Sequence, residues 1–472
     1  NLRGIDISPL RASLLLHVDL GTQAPAPLCV GLLSVLPAQG AAWNSHHLDA
    51  GTTLDSAAQT VRRCAKSLRA QGADLVIVLA HMGVGHPGAN CEDTQAAQAF
   101  ADPDTIDALI LGHTHRRLPS VEYATRGGVD LRASTLNGVP AIMAGHAGSD
   151  LGVMDLDLAH DTTRGWRVRA QHCALRSNGA NVAPDPAICV FADAQHQIVT
   201  AQLAQPVAQV SRDLHSFFSL VTAAPTQELT ARAQHRLIRE ALRGTPEGEL
   251  PLLATAAAHG AGGRDGPDNY IYVPKGAVLR RHIAGLNPFT NQTLAIRING
   301  AQLRDWLEHA ALLFNTLDPD APAQMLVNAD VPAFQFDTIY GLEYTINPAA
   351  APYSRITGMS HKGVPVTPDQ QFMLATNQFR AVGGGGYGVI PQHQIAATTT
   401  APLQDSMIEV LRTEEPSPWN ACPPWHFAPL GGTQAVLLTH PDALACITDI
   451  AHLHPKLSGN TSQGFIRLSV TL

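Results

Sequence analysis

Apolar and polar positions divide this chain into strand-like and helix-like segments. Leu28–Val35 is an apolar run of strand length, and Leu54–Ala70 carries Leu54, Ala57, Ala58, Val61, Ala65 and Leu68 at the spacing of an amphipathic helix. Two further apolar runs end in histidine: Asp74–Ala80 leads to His81-Met82-Gly83, and Ile106–Leu111 leads to Gly112-His113-Thr114-His115. A polar loop and short helix over Cys91–Ala101 separate them. Strands follow at Val139–Ala144 and Val153–Leu158, the latter alternating so that Asp155 and Asp157 face away from the apolar side. This order predicts a mixed α/β layered domain with functional groups on loops at one edge.

The alanine-rich stretch Asp185–Val210, bounded by Pro184, Pro186 and Pro206, predicts a connector helix. It sets a first domain at 1–185, a linker helix at 186–206 and a second domain of α+β type at 207–472. The second domain is predicted to open with helix Glu228–Arg243 and to pass through a glycine-rich loop at Gly260–Gly266. Strands are expected at Thr293–Ile298, Phe334–Thr338, Leu342–Ile346 and Phe372–Thr376, with a helix at Gly300–Leu313. Beyond Thr400 come a helix, a proline-rich connection at Pro416–Pro424 and some remaining strand and helix.

A length of 472 residues exceeds one ordinary core and agrees with two domains. With 45% hydrophobic and 15% charged residues the chain reads as soluble and globular, and no apolar run reaches the roughly 18 residues of a membrane span. A formal net charge of −8 and the lack of a Lys/Arg-rich run argue against polymeric nucleic acid as a partner, leaving room for a small anionic ligand. The seven cysteines show no C-x-x-C spacing; Cys173 with Cys189 and Cys422 with Cys446 remain open as local disulfides or free thiols. Asn1 opens the chain without a readable leader.

Candidate chemistry sits on the loops. Neutral imidazole is a common ligand of divalent metals, and Gly112 is expected to let the backbone turn the rings of His113 and His115 toward a common centre. His81 ends a strand that can lie beside theirs in one sheet, although a lone histidine after a strand is ordinarily a satisfied loop residue. In the second half, Arg264 follows two glycines, a setting for bidentate anion binding or an ordinary turn. Four consecutive glycines, Gly383–Gly386, are costly in conformational entropy, which argues against filler. Phe379 precedes them, and Phe289 lies in Asn287-Pro-Phe-Thr-Asn291. On facing loops the two phenylalanines would clamp a planar group such as a nucleobase; singly, each reads as core.

Taken in order, Ala80-His-Met-Gly83, Leu111-Gly-His-Thr-His115, Thr135-Leu-Asn-Gly-Val-Pro-Ala141, Gly262-Gly-Arg264, Asn287-Pro-Phe289 and Ala375-Thr-Asn-Gln-Phe-Arg-Ala-Val-Gly-Gly384 closely resemble the 5′-nucleotidase superfamily. The nearest branch is that of the periplasmic bifunctional 2′,3′-cyclic-nucleotide 2′-phosphodiesterase/3′-nucleotidases. The resemblance implies a calcineurin-like metallophosphoesterase domain, a β-sandwich flanked by helices, followed by a substrate-binding C-terminal domain. It also implies two divalent metal ions (Mn, Zn, Co or Mg) holding a hydroxide that attacks phosphorus in line. By position His81 and His113 match ligands of one metal and His115 a ligand of the other. Arg264 matches a phosphate-binding arginine, Phe289 and Phe379 the aromatics that sandwich the base, and Asn291, Gly383 and Gly384 line the same pocket.

The family's upstream Asp-x-His, Gly-Asp and Asn-His motifs do not occur before His81. The catalytic histidine is therefore unassigned, and the chain is expected to lack the N-terminal part of its metal domain. In that case it would bind metal weakly, hydrolyse little and expose a sheet edge or apolar face. The implied protein is a monomeric periplasmic hydrolase of small nucleotides. The alternatives are a 5′-nucleotidase or UDP-sugar hydrolase, and a non-catalytic nucleotide-binding remnant.

Overall fold

The computed structural model describes residues 1–3, 13–21, 24–44, 48, 51–84, 97–163, 165–179, 181–413 and 423–472. The sequence expectations for residues 91–96 and 416–422, and for the side chain of Arg264, lie outside what is described. The chain divides into two compact units, Asn1–Cys189 and Val190–Leu472.

The first unit is built on a mixed sheet. Strand β1 (Ser13–Val18) pairs antiparallel with β2 (Leu28–Val35), and β3 (Leu75–Ala80), β4 (Ala108–Leu111) and β5 (Val139–Ala144) follow in parallel. Parallel neighbours require a crossover, and α1 (Ala57–Ala70) supplies the one between β2 and β3. Its apolar stripe of Ala57, Val61, Ala65 and Leu68 is buried against Leu33, Val35, Val76 and Val78. Leu54, expected in this helix, instead pairs in a short strand with Leu2.

The expected strand at 153–158 is the centre of a longer hairpin, β6 (Asp150–Asp161) and β7 (Gly165–Ser177). Asp155 and Asp157 point to solvent. Trp166, Leu158 and Val168 of this hairpin cover Leu28, Val30 and Leu75 on the sheet face opposite α1. Asp74 ties the two layers, accepting from the Cys29 amide at 2.8 Å and the Trp166 amide at 3.2 Å. Further along that face Leu79 and Ile110, paired in register, remain 40% and 44% exposed.

Helix α2 (Pro186–Leu203) is shorter than the sequence implied. Pro206 has no amide to continue a helix, and Pro206–Val210 instead forms β8, pairing with Gly276–Leu279 and burying Val207 and Val210. Every described side chain of α2 lies at the surface.

The second unit is organised by α3 (Pro225–Ala241) and by strands β9 (Leu252–Ala257), β10 (Thr293–Asn299), β11 (Asp337–Tyr340), β12 (Gln371–Asn377) and β13 (Ile395–Thr399). These five strands form one sheet in the order β11-β9-β12-β10-β13. Ala231 and Ile238 of α3 pack on Ala254, Ala256 and Met373 on one face. On the other, α4 (Gly300–Ala310) buries Leu303, Trp306 and Leu307 against Ile296, Phe372 and Leu374. Asn299 caps α4 by accepting from the Gln302 amide, and the Gln302 side chain accepts from the Asn299 amide in return.

The expected strand at 334–338 is displaced. A 3-10 turn occupies Ala333–Gln335 and the strand begins only at Asp337. The turn buries Ala333, and Phe336 fills the aromatic core beside Phe314 and Trp425. Cys173 is a buried free thiol and Cys189 an exposed one. Among the described residues no helix is long and apolar enough to cross a membrane.

Candidate functional site

In the first unit three adjacent parallel strands deliver histidines at their carboxyl ends. His81 follows β3, His113 and His115 follow β4, and His146 follows β5. Backbone bonds hold these turns together, from the His81 amide to the Val35 carbonyl, from Gly112 to Met82 and from Gly145 to Arg116, each 3.0 Å. His113 Nδ1 lies 3.3 Å from His81 Nε2, and the His115 ring stacks on His146 at 4.8 Å. Two nitrogens sharing one metal ion, each about 2.1 Å from it, stand roughly 3.0–3.4 Å apart, so the first pair has the spacing of a common ion.

The turn is not made by Gly112, as expected, but by the histidines themselves. His113 and His115 adopt φ of 66° and 60°, the left-handed region, where histidine is enriched but still strained. The glycine that matters sterically is Gly83: a Cβ there would stand 2.4 Å from Thr114 Cγ2, between the two histidines in sequence. Burial, and next the neighbouring His113, lower the pKa of His81. Among the described residues no group of three or more His, Cys, Asp or Glu side chains is placed to hold a metal ion. Among the described residues the histidines therefore offer one converging donor pair.

In the second unit the sequence-predicted residues fall on loops at one end of the central sheet. β9 and β12 run parallel, and β10 and β11 run antiparallel to them. The loop after β9, the loop before β10, the turn before β11 and the loop after β12 thus emerge together. They carry Gly262–Arg264, Phe289 with Asn291, Phe334, and Phe379 with Gly383 and Gly384, respectively. The Gln378 amide donates to the Gln292 carbonyl at 2.9 Å, joining the second and fourth loops directly. Phe289 is 58% exposed and its ring lies 6.2 Å from that of His259, while Phe379 meets Phe334 at 6.4 Å.

A buried ion pair holds this end in place. Arg380, next to Phe379, donates to both oxygens of Asp337 at 2.9 Å through Nε and Nη2. Nη1 donates to the Gly384 carbonyl at 3.1 Å, and Nη2 also bonds the Phe334 carbonyl. Trp306 Nε1 donates to Asp337 at 3.0 Å, and the guanidinium lies 4.5 Å from the centre of the Tyr387 ring. Burial would lower the Arg380 pKa, but the Asp337 carboxylate outweighs it and raises it further. The glycine loop is fixed as well by His309, whose Nε2 lies 2.9 Å from the Gly385 carbonyl.

Sequence reasoning missed His146, His259 and the Arg380–Asp337 pair. For His146 a signal existed, since Ala144-Gly145-His146 repeats at the end of β5 the strand–glycine–histidine pattern of β4. For Asp337 there was none: its partner lies 43 residues away, and nothing local marks a lone aspartate as buried.

The sequence profile of the 5′-nucleotidase C-terminal domain matches residues 176–392. The chain is 30% identical over 426 residues to the trifunctional nucleotide phosphoesterase protein YfkN of Bacillus subtilis, covering 86% of this chain and 29% of that protein. It is 29% identical over 394 residues to the 2′,3′-cyclic-nucleotide 2′-phosphodiesterase/3′-nucleotidase of Salmonella typhimurium, covering 78% of this chain and 60% of that one. The chain thus spans less than two thirds of the length of these relatives. In fold it is similar to a Staphylococcus aureus protein assigned as a 5′-nucleotidase, with a TM-score of 0.64 and 19% identity over 88% of this chain and 74% of that one. Residues 176–392 are therefore a 5′-nucleotidase C-terminal domain, and the loops gathered at the end of its central sheet belong to it.

Proposed function

We propose that this chain belongs to a metal-dependent phosphohydrolase of nucleotides, acting on 2′,3′-cyclic nucleotides and 3′-nucleotides. The observation that carries the reading is the convergence of four loops at one sheet end, where exposed Phe289 and the buried Arg380–Asp337 frame beside Phe379 suit a planar base. Arg264, Asn291, Gly383 and Gly384 lie on the same loops and are assigned to the same substrate. Residues 207–472 then hold the nucleotide, residues 1–185 carry the phosphoesterase chemistry, and α2 links them. The choice of 3′- and cyclic nucleotides follows the name of the Salmonella relative.

His81 and His113 are assigned to one divalent ion and His115 to a second. Such ions, when bound, neutralise charge that develops on the phosphoryl oxygens. The described residues complete neither ligand set.

The test is hydrolysis of 2′,3′-cyclic AMP, 3′-AMP and 5′-AMP by chelator-treated protein with and without added Mn²⁺ or Co²⁺, alongside calorimetric binding of adenosine. Metal-dependent release from the first two substrates is expected. Preference for 5′-AMP would replace the reading by a 5′-nucleotidase, and adenosine binding without any hydrolysis would replace it by a nucleotide-binding protein.

A further inference from the structure

One polar group at the sheet end has no structural task. His259 lies on the loop after β9, whose backbone is secured on both sides: the Ala258 amide donates to the Phe336 carbonyl at 3.0 Å, and Ser216 Oγ donates to the Gly260 carbonyl. The His259 amide donates to the Ala257 carbonyl at 2.9 Å. Its half-buried ring is different. Among the described residues the imidazole nitrogens have no hydrogen-bond partner, whereas the nearby His309 is engaged with Gly385. The His259 ring lies 6.2 Å from that of Phe289, tilted by 54° and not stacked on it. A planar ligand stacked on exposed Phe289 would stand within reach of this imidazole.

Burial, and next the Arg380 guanidinium, lower the His259 pKa to about 4, with Asp337 opposing. At neutral pH the ring is uncharged, with one N–H donor and one acceptor. A neutral group there suits a nucleobase edge and gives a phosphate no cation to bind.

We infer that His259 is a specificity-determining residue that hydrogen-bonds the edge of a nucleobase stacked on Phe289. The inference rests on the nucleotide reading above. Its test is calorimetric titration of adenosine into the wild-type protein and into His259→Ala, His259→Gln and His259→Phe. Losing one such bond should weaken adenosine binding about tenfold in the alanine and phenylalanine variants. Glutamine keeps a donor and an acceptor and should stay within about threefold of wild type. The phenylalanine variant keeps a ring, so it answers the question even where alanine destabilises the loop. Unchanged affinity in His259→Phe, or an equal loss in His259→Gln and His259→Ala, would overturn the inference while leaving the nucleotide reading intact. A wild-type protein that binds no adenosine would overturn both.

Discussion

The histidine end of the first unit and the loop end of the second are alike in plan and opposite in construction. Each gathers polar groups where parallel strands end. At the first, the side chains meet mainly one another: His113 beside His81, His115 on His146, with φ above 60° at one and 60° at the other. Backbone hydrogen bonds join the turns that carry them. At the second, a fully buried guanidinium and carboxylate bind two loop carbonyls and a tryptophan before any ligand arrives. The lesson is that the second end is preorganised by a buried ion pair, whereas the first presents half-buried and exposed imidazoles on strained turns.

The comparison predicts where mutations act. Arg380→Met leaves Asp337 buried and unpaired, and breaking such a pair costs about 3–5 kcal/mol. Guanidinium-induced unfolding should show that loss, and Arg380→Lys should recover only part of it because an ammonium cannot form the two-pronged contact. A loss under about 1 kcal/mol would mean the frame is not what holds the loops.

The next effect separates the units by pH. Burial, and next Arg239, lower the pKa of His235 on α3 to about 4, against an ordinary 6.5. The unfolded chain therefore takes up more protons between these values. Stability of the second unit should be complete above pH 6.5 and should fall as pH drops toward 4, by at most about 1.4 kcal/mol per pH unit from this group. Unfolding midpoints at pH 7 and pH 4.5 test it: His235→Gln should reduce the difference while leaving the share of His259, whose pKa is lowered alike, and an unreduced difference would assign the loss elsewhere.

At the first end the expected pattern reverses, with chemistry lost and stability kept. His113→Ala removes one of the converging nitrogens, and in the protein with both ligand sets complete Mn²⁺- or Co²⁺-dependent hydrolysis of 3′-AMP should fall by about a hundredfold. Unfolding should change by less than about 1 kcal/mol, since His113 is only half-buried. Unchanged hydrolysis would remove His113 from the metal assignment.

The same contrast explains what the sequence could convey. Strand ends were legible because apolar runs stop abruptly at His81 and Gly112, and the turn-rich loops around Phe289 and Gly383 marked themselves by composition. The second hairpin strand Gly165–Ser177 was not legible. Its pattern mixes Trp166 and Val168 with Arg167, Arg169 and Arg176, and only the tertiary contact of Trp166 with Leu28 and Leu75 shows which face is inside. The start of β11 was misread because Phe334 and Phe336 look like strand residues, yet Phe336 is claimed by the aromatic core and the backbone turns to place it. Left-handed φ at His113 was likewise invisible, since a glycine directly before it offered the cheaper explanation.

The smallest chemical change compares one added methyl at each end. In Gly83→Ala the new Cβ would meet Thr114, a side chain that can rotate, at 2.4 Å from Cγ2 and 2.8 Å from Oγ1. In Gly384→Ala it would meet the Phe379 carbonyl oxygen at 2.5 Å and the Phe379 ring at 2.6 Å, and a backbone atom yields less readily than a side chain. Overpacking of this kind costs about 1–3 kcal/mol, and the second variant should lie nearer the upper value. The ring of Phe379 must also shift, so adenosine affinity should fall about tenfold in Gly384→Ala and stay unchanged in Gly83→Ala. Equal adenosine affinity in both variants would show that Phe379 does not bear on the base, and the preorganised end would then have to be sought on the Phe289 side alone.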